Sequence, residues 1–347
     1  MKSVLNLTPA QRAELFNAAA QKLGIGPVAL EKDFWVCWTL RELFALPGIS
    51  EHLIFKGGTS LSKVWRAIQR FSEDIDVSLS KEWLGFGGDQ NPELQDSRKK
   101  QGRKLEELAA ACAEKVRVGL LPALQTQATA ALGADGWTMT ISAQDPQELL
   151  FRYPSSLPAM PGTEYIEREV KIECGARSDR WPADDRTILP YVAEAYPDAI
   201  NDAMVPVRVL SIERTFWEKA TILHAEAHRP ADKATPGKFS RHYADLAALA
   251  DHADSAGAIA RDDLRARVVE HKQVFFAASW AKYETAVPGT FMLLPSEERL
   301  ARLAADYREM QIMYFGEPKP WAEIVARLQT LQAQLNPGRE QSGVLAE

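Results

Sequence analysis

Cysteine is scarce in this chain of 347 residues. The three cysteines, Cys37, Cys112 and Cys174, are odd in number and far apart, so they provide neither a zinc-binding spacing nor a disulfide framework. Long apolar runs are also missing, since none approaches the roughly 20 residues that cross a bilayer. The N-terminal segment lacks the apolar core of a signal peptide. We therefore expect no membrane association and a cytoplasmic location.

The chain also lacks an excess of positive charge. It has 41 Lys and Arg against 47 Asp and Glu, a formal net charge of −6, so it has no global nucleic-acid footprint. Any RNA contact would therefore need a local basic patch. Hydrophobic residues make up 46% of the chain and charged residues 25%, which is typical of a soluble globular protein. Because 347 residues exceed what one core usually serves, we expect two domains.

Residues 55–80, FKGGTSLSKVWRAIQRFSEDIDVSLS, carry the most informative pattern of the chain. A short apolar run predicts a buried strand, and Gly57 and Gly58 follow it. Glycines permit positive φ and allow a ligand to approach the backbone closely. Thr59 or Ser60 can then cap a helix, whose N-terminus is suited to binding an anion. The helical spacing of the apolar residues that follow predicts that this helix continues to Ile68.

An acidic pair follows that helix. Asp74 and Asp76 are two residues apart on a predicted strand, so their side chains share one face. Two carboxylates on one face repel each other unless a cation lies between them. Mg²⁺ prefers carboxylate oxygens together with substrate phosphates, so this pair is a candidate metal site. The alternative is an ordinary turn with an exposed acidic strand end.

The rest of the first half alternates between helices and strands. Thr8 and Pro9 predict a helix start, and residues 27–44 predict a second helix on which Lys32 points away from the packed face and Asp33 lies at its flank. Residues 80–104 are polar and glycine-rich, which predicts a loop or flexible insertion. The sequence then predicts a helix over 103–121 and strands over 137–142, 148–153 and 165–174.

The last of these strands supplies a third acid. Glu173 lies at its end, near Gly175, and an acid facing Asp74 and Asp76 across a sheet would complete a metal triad. The alternative is an edge strand with alternating charge on its exposed face.

The second half is predicted to be helical after a proline-bearing connector at 178–206. Further helices are expected to begin at Ser211 and to cover 261–280, 296–311 and 319–335. Arg241 and Asp245 are four residues apart on a helix and are therefore neighbours. We place the domains at 1–206 and 207–347.

Four patches together resemble the AbiEii/AbiGii-type nucleotidyltransferase toxins, a family within the DNA polymerase β-like superfamily. The first is GGTS, thirteen residues and DID, from Gly57 to Asp76. The others are VKIE ending at Glu173, ERTFWEKATIL carrying Lys219, and RHYADL. The fourth patch has His242 where the family has aspartate, so only Arg241 and Asp245 are transferred.

The resemblance implies an α/β (α+β) fold, with a nucleotidyltransferase-type mixed sheet, flanking helices and a C-terminal helical domain that completes the active site. It implies transfer of a nucleoside monophosphate from an NTP to an acceptor hydroxyl. The expected acceptor is the tRNA 3′ end or a protein, and an antitoxin protein is the expected partner. Asp74, Asp76 and Glu173 would hold two Mg²⁺ ions.

Catalysis would also involve Lys219, which is expected to neutralise the triphosphate. Gly57, Gly58, Thr59 and Ser60 would cradle the β- and γ-phosphates, and Arg241 and Asp245 would orient Lys219 or the nucleotide. Two alternatives stay open: a nucleotidyltransferase with a small-molecule acceptor, and a non-catalytic nucleotide-binding partner protein.

Overall fold

The computed structural model describes residues 1–158, 166–200 and 202–337. Within these ranges the chain forms two compact units. The first contains Met1–Val64 and Phe71–Leu210, and the second contains Trp65–Arg70 and the described residues from 211 onward. None of the helices in these ranges is long and apolar enough to cross a membrane.

A mixed sheet is the centre of the first unit. Its strands are β1 (Leu53–Lys56), β2 (Ile75–Leu79), β3 (Thr138–Ile141), β4 (Glu148–Arg152), β5 (Glu169–Gly175), β6 (Ala183–Ile188) and β7 (Val205–Leu210). In the described part of the chain these strands form one sheet in the order β3-β4-β5-β2-β1-β7-β6. The β1–β7 and β2–β5 pairs are parallel and the other pairs are antiparallel.

Helices flank the sheet and make up most of the second unit. Those of the first unit are α1 (Lys2–Leu5), α2 (Pro9–Leu23), α3 (Pro27–Phe44), α4 (Gly57–Lys63), α5 (Arg98–Lys115), α6 (Leu121–Leu132) and α7 (Tyr191–Ala195). Those of the second unit are α8 (Ile212–Ala227), α9 (Ser240–Asp251), α10 (Asp262–Phe275), α11 (Glu297–Met310) and α12 (Trp321–Leu335). The predicted fold class, a mixed sheet with flanking helices and a C-terminal helical part, is confirmed.

Helix α2 begins and ends where local signals place it. The Thr8 hydroxyl accepts a hydrogen bond from the backbone N–H of Gln11, and the Gln11 side chain accepts one from the backbone N–H of Thr8. This reciprocal pair satisfies two N–H groups of the first turn. Gly24 follows the helix with a left-handed φ of 67°, which ends it. The predicted start at Thr8 and Pro9 is therefore confirmed.

Aromatic packing attaches α3 to the sheet. The Trp35 ring stacks on Tyr153 of the segment after β4 at 5.5 Å, and Trp38 lies 5.3 Å from Phe151. All four side chains are buried. Fully burying one large apolar side chain stabilises the fold by about 1.5–3 kcal/mol, so this cluster fixes the position of α3.

The predicted orientations of Lys32 and Asp33 on α3 are wrong. Both side chains are buried. Lys32 forms an ion pair with Glu73, and Asp33 lies 2.7 Å from the Lys63 ammonium. Helical periodicity marks them as polar positions because it cannot detect partners that are distant in sequence.

The helix after the glycines is shorter than its apolar spacing predicts. Helix α4 ends at Lys63, and Arg66 has a left-handed φ of 52°, which is incompatible with continuing the helix. Trp65 and Ile68 are buried as predicted, but they belong to the second unit. The apolar residues at helical spacing therefore belong to two structural units and do not form one face of a single helix.

Two predicted loops contain regular structure. Helix α5 begins at Arg98, inside the predicted 80–104 insertion, because Ser97 caps its first turn. The predicted connector at 178–206 contains β6 and α7. Strand β6 is an edge strand with mostly partly or fully exposed polar residues, so its sequence lacks the apolar alternation of a strand. The other predicted strands are confirmed, although Tyr165, where the last was expected to begin, lies outside the described residues.

Candidate functional site

The backbone of Gly57 lies directly against the carboxylate of Asp76. Gly57 follows β1, opens α4 and has a φ of +81°. A Cβ atom at this position would lie 1.9 Å from Asp76 Oδ2 and 2.6 Å from Asp76 Cγ. Both the left-handed backbone and the close approach therefore require glycine. The register of β1 and β2, which places Lys56 opposite Asp76, brings the two together.

The hydroxyls of Thr59 and Ser60 are used within the chain. Thr59 Oγ1 donates to the carbonyl oxygen of Asp74 at 2.5 Å, and Ser60 Oγ donates to the carbonyl oxygen of Gly57 at 2.8 Å. Both side chains are buried. Neither residue is the helix cap, because α4 already begins at Gly57. Thr59 therefore links the first turn of α4 to the backbone of Asp74 through this hydrogen bond.

Two of the three predicted acids lie on neighbouring strands, and the third lies next to one of them. Asp74 immediately precedes β2, and Asp76 is its second residue. Strand β5 runs parallel to β2 and places Glu173 opposite Asp76. Each of the three carboxylates is partly exposed, between 24% and 39%. The alternative of an edge strand at β5 is wrong, since β5 lies between β4 and β2.

Two lysines that sequence analysis did not single out pair with these acids. Lys171 Nζ lies 2.5 Å from Glu173 Oε1 and 3.6 Å from Asp74 Oδ2. Lys56 Nζ lies 3.5 Å from Asp76 Oδ1. The signal for Lys171 was available, because the alternation of β5 places it on the same face as Glu173. Each acid therefore has an ammonium group close to it.

Asp74 is the carboxylate whose environment disfavours its charge. Burial raises its pKa, and the negative charges of Glu73 and Asp76 add to that effect, while Lys171 and Lys32 oppose it. The pKa of Lys171 is also raised, because hydrogen bonding to Glu173 and the charge of Asp74 outweigh its partial burial. A cation is therefore favoured between Asp74 and Glu173.

The donor set fits a hard divalent cation in its chemistry. All three acids offer carboxylate oxygens, which Mg²⁺ prefers, and two of them share one ammonium. Among the described residues, no three Asp, Glu, His or Cys side chains converge closely enough to form a ready metal site. The carboxylate oxygens that a metal ion would need are therefore in place, and Lys171 and Lys56 pair with them in this structure.

In the second unit, the predicted Lys219 and Asp245 form a buried ion pair. Lys219 Nζ lies 2.8 Å from Asp245 Oδ2 and 3.0 Å from His242 Nδ1. Arg70 holds the same carboxylate through two hydrogen bonds of 3.0 Å each. Arg241 is exposed, and Asp245 pairs with Arg70 and Lys219 instead of with the predicted neighbour. Asp245 is thus in contact with two cations, Lys219 and Arg70.

The electrostatics of this cluster follow from two cations that share one acid. Burial alone would raise the pKa of Asp245, but Arg70 and Lys219 hold it well below its usual value. Burial lowers the pKa of Lys219, and the Arg70 charge adds to that effect against the attraction of Asp245. Burial and the Lys219 charge also keep the pKa of His242 low, so its Nδ1 accepts from Lys219.

Comparison with known proteins places this chain in a family. No curated protein matches it. A solved structure, "MenT4, nucleotidyltransferase toxin Rv2826c from Mycobacterium tuberculosis H37Rv", is 18% identical and is matched over 94% of this chain and 100% of that chain. Its TM-score is 0.33. The family model "Nucleotidyl transferase AbiEii toxin, Type IV TA system" matches residues 38–329, which is most of the chain. The chain therefore belongs to the AbiEii family of nucleotidyl transferase toxins of type IV toxin–antitoxin systems.

Proposed function

We propose that this protein transfers a nucleoside monophosphate from an NTP to an acceptor hydroxyl and releases pyrophosphate. The observation that carries the proposal is the parallel register of β2 and β5, which sets Asp76 opposite Glu173. Asp74 precedes the same strand, and Gly57 leaves room for the Asp76 carboxylate. The family to which the chain belongs supports the same chemistry.

Asp74, Asp76 and Glu173 are the residues that would hold Mg²⁺, as a pair of ions. Bound there, the metal would neutralise phosphate charge and assist the attacking and leaving oxygens of an in-line displacement. The chain's own part is positioning. Thr59 fixes the segment that carries Asp74 by donating to its carbonyl oxygen. Gly57 allows the Asp76 carboxylate to lie against the backbone.

Backbone groups and cations would bind the triphosphate. The first turn of α4, with Gly57, Gly58, Thr59 and Ser60, would cradle the β- and γ-phosphates. The N–H groups of its first three residues have no partner inside the helix and suit phosphate oxygens. Lys219 would neutralise phosphate charge, and Asp245, which Arg70 also contacts, holds the Lys219 ammonium in place. Arg241 adds an exposed positive charge on the same helix as Asp245.

A polyanionic acceptor is favoured by the charge on α5. Five basic side chains lie within its first seven residues: Arg98, Lys99, Lys100, Arg103 and Lys104. The first turn contains no acid, although the helix dipole disfavours cations at an N-terminus, so helix stability does not explain the pattern. Lys100 pairs with Asp96, and Arg103 and Lys104 pair with Glu107, but these are weak surface ion pairs. An excess of positive charge therefore remains here for RNA binding in a chain of net charge −6. We propose the tRNA 3′ end as acceptor, and a cognate antitoxin as the partner that restrains the activity.

A labelling experiment tests the reaction. Purified protein, Mg²⁺ and each of four α-labelled NTPs are incubated with total RNA and with protein extract, beside Asp76→Asn. As a matched control, Asp185→Asn removes an exposed acid from β6 of the same sheet. We expect label on RNA with the wild type and Asp185→Asn and none with Asp76→Asn. Label on protein alone would show that the acceptor is a protein and not RNA. Equal labelling by Asp76→Asn and the wild type would reject the assigned site.

A charge-reversal experiment tests the acceptor surface. The double variant Lys99→Glu and Arg103→Glu is compared with Arg302→Glu and Arg308→Glu on α11, where both arginines are also exposed. We expect only the α5 variant to weaken RNA binding and to reduce the slope of log K against log salt by about 1–2, since each lost phosphate contact removes about 0.7. Equal effects of the two variants would exclude α5 as a specific RNA surface.

A further inference from the structure

Lys171 occupies a position from which it can control access of a metal ion to the acids. We propose that its ammonium group is a built-in counter-ion that competes with the divalent cation for Asp74 and Glu173, and so sets the metal affinity of the site. This inference rests on the proposed function, because it assumes that these acids bind metal. It assigns to Lys171 a positioning role that the sequence resemblance does not include.

The geometry singles out Lys171 among the neighbouring cations. Its Nζ lies 2.5 Å from Glu173 Oε1 and 3.6 Å from Asp74 Oδ2, so it bridges two of the three acids. Lys56 approaches only Asp76, at 3.5 Å. Lys171 and Glu173 are two residues apart on β5, so the strand itself holds their side chains on one face. The bridge is therefore built into the sheet.

A divalent cation and this ammonium group compete for the same oxygen atoms. Mg²⁺ binds carboxylate oxygens directly, at about 2.0–2.1 Å. The Lys171 ammonium already engages one oxygen of Glu173 at hydrogen-bond distance, and its positive charge opposes a second cation nearby. Lys171 is only 32% exposed, so water screens that repulsion incompletely. Metal binding therefore requires Lys171 to move away from at least one acid.

The sheet offers Lys171 a second partner when it moves. Glu148 on β4 lies directly opposite Glu173 in the antiparallel β4–β5 pair, on the same face. Its negative charge already acts on the Lys171 ammonium. The displaced lysine can therefore pair with Glu148 rather than lose its partner. This arrangement permits exchange between lysine and metal without leaving an unpaired charge.

Metal binding without nucleotide tests the inference directly. Mn²⁺ is titrated into wild-type protein, Lys171→Met, Lys171→Arg and Arg152→Met, and free Mn²⁺ is followed by electron paramagnetic resonance. Arg152→Met is the matched control, since it removes a cation from β4 that pairs with Glu169 and contacts none of the three acids. Because one nearby charge shifts a carboxylate equilibrium by tenfold or more, we expect Lys171→Met to bind Mn²⁺ about tenfold tighter. Lys171→Arg and Arg152→Met should remain within about twofold of the wild type.

The failures of the two proposals are distinguishable. Equal or weaker Mn²⁺ binding by Lys171→Met, with Asp76→Asn inactive in the labelling experiment, would overturn the role of Lys171 and leave the nucleotidyltransferase site standing. Full labelling activity of Asp76→Asn would overturn the proposed site itself. Tighter Mn²⁺ binding by both Lys171→Met and Arg152→Met would also contradict the inference, because it would reflect general charge rather than the bridge.

Discussion

Gly57→Ala should inactivate the protein at a modest cost in stability. The added Cβ would lie 1.9 Å from Asp76 Oδ2, and an ordinary contact needs at least 3.4 Å. The carboxylate must therefore move by about 1.5 Å, and a misplacement of about 1 Å at a reacting centre costs about 10²-fold in rate. The left-handed φ of +81° adds about 1–2 kcal/mol of backbone strain. We expect at least a 10²-fold loss in nucleotide transfer and a loss of about 1–2 kcal/mol in the free energy of unfolding.

Gly85→Ala separates backbone strain from the displacement of Asp76. Gly85 has a φ of +88°, and a Cβ atom there would meet no other atom within 4 Å. This variant should lose similar stability and keep its activity. Nucleotide transfer and urea unfolding are measured for both variants. The reasoning fails if Gly57→Ala transfers nucleotide as fast as Gly85→Ala, because Asp76 would then not be needed where the structure places it.

Three further predictions concern the groups that support the site. Asp245→Asn removes the buried negative charge that Arg70 and Lys219 share and should cost about 3–5 kcal/mol in urea unfolding. Asp251→Asn removes an acid that is 46% exposed and should cost less than about 1 kcal/mol. Burial would raise the pKa of Asp245, but its cations lower it. The stabilisation from Asp245 is therefore complete above the unfolded pKa of about 3.9 and is lost as the pH falls toward the folded pKa. On acid titration Asp245→Asn should lose stability less steeply than the wild type, and an equally steep loss would contradict this. Thr59→Val removes the hydrogen bond to the Asp74 carbonyl oxygen at nearly constant side-chain volume. It should cost about 1 kcal/mol in the free energy of unfolding and lower the rate of nucleotide transfer. An unaltered rate would show that this bond does not position Asp74.

The carboxylate face of the sheet could be predicted because its signals are local. The spacing of Gly57, Asp74 and Asp76 within one short segment predicts a turn followed by an acidic strand, and the structure differs only in that Asp74 lies one residue before β2. Alternation on β5 likewise separates Glu173 from its buried neighbours. The parallel pairing of β2 with β5 then places Asp76 opposite Glu173.

The partners of Arg70, Lys32 and Asp33 could not be predicted because they are distant in the chain. Arg70 and Asp245 are 175 residues apart, and neither has a sequence pattern that points to the other. Lys32 and Asp33 occupy polar positions on α3, and only the tertiary structure supplies the charges that permit their burial. Strand β6 was not predicted because most of its residues are polar and at least partly exposed. An edge strand does not need the alternation of apolar and polar residues that marks a strand in the sequence.

Pyrophosphate release is the measurement that tests the central claim most directly. Wild-type protein, Asp76→Asn and Asp185→Asn are each supplied with Mg²⁺, the NTP that labels best and the labelled acceptor, and pyrophosphate is counted against transferred label. If Asp74, Asp76 and Glu173 form the reacting site, the wild type and Asp185→Asn release one pyrophosphate per label. Asp76→Asn should then be slower by at least about 10²-fold while retaining the wild-type circular dichroism spectrum, since removal of one charge-stabilising group commonly costs about 10²–10³-fold. Pyrophosphate release by Asp76→Asn at the wild-type rate would contradict the account.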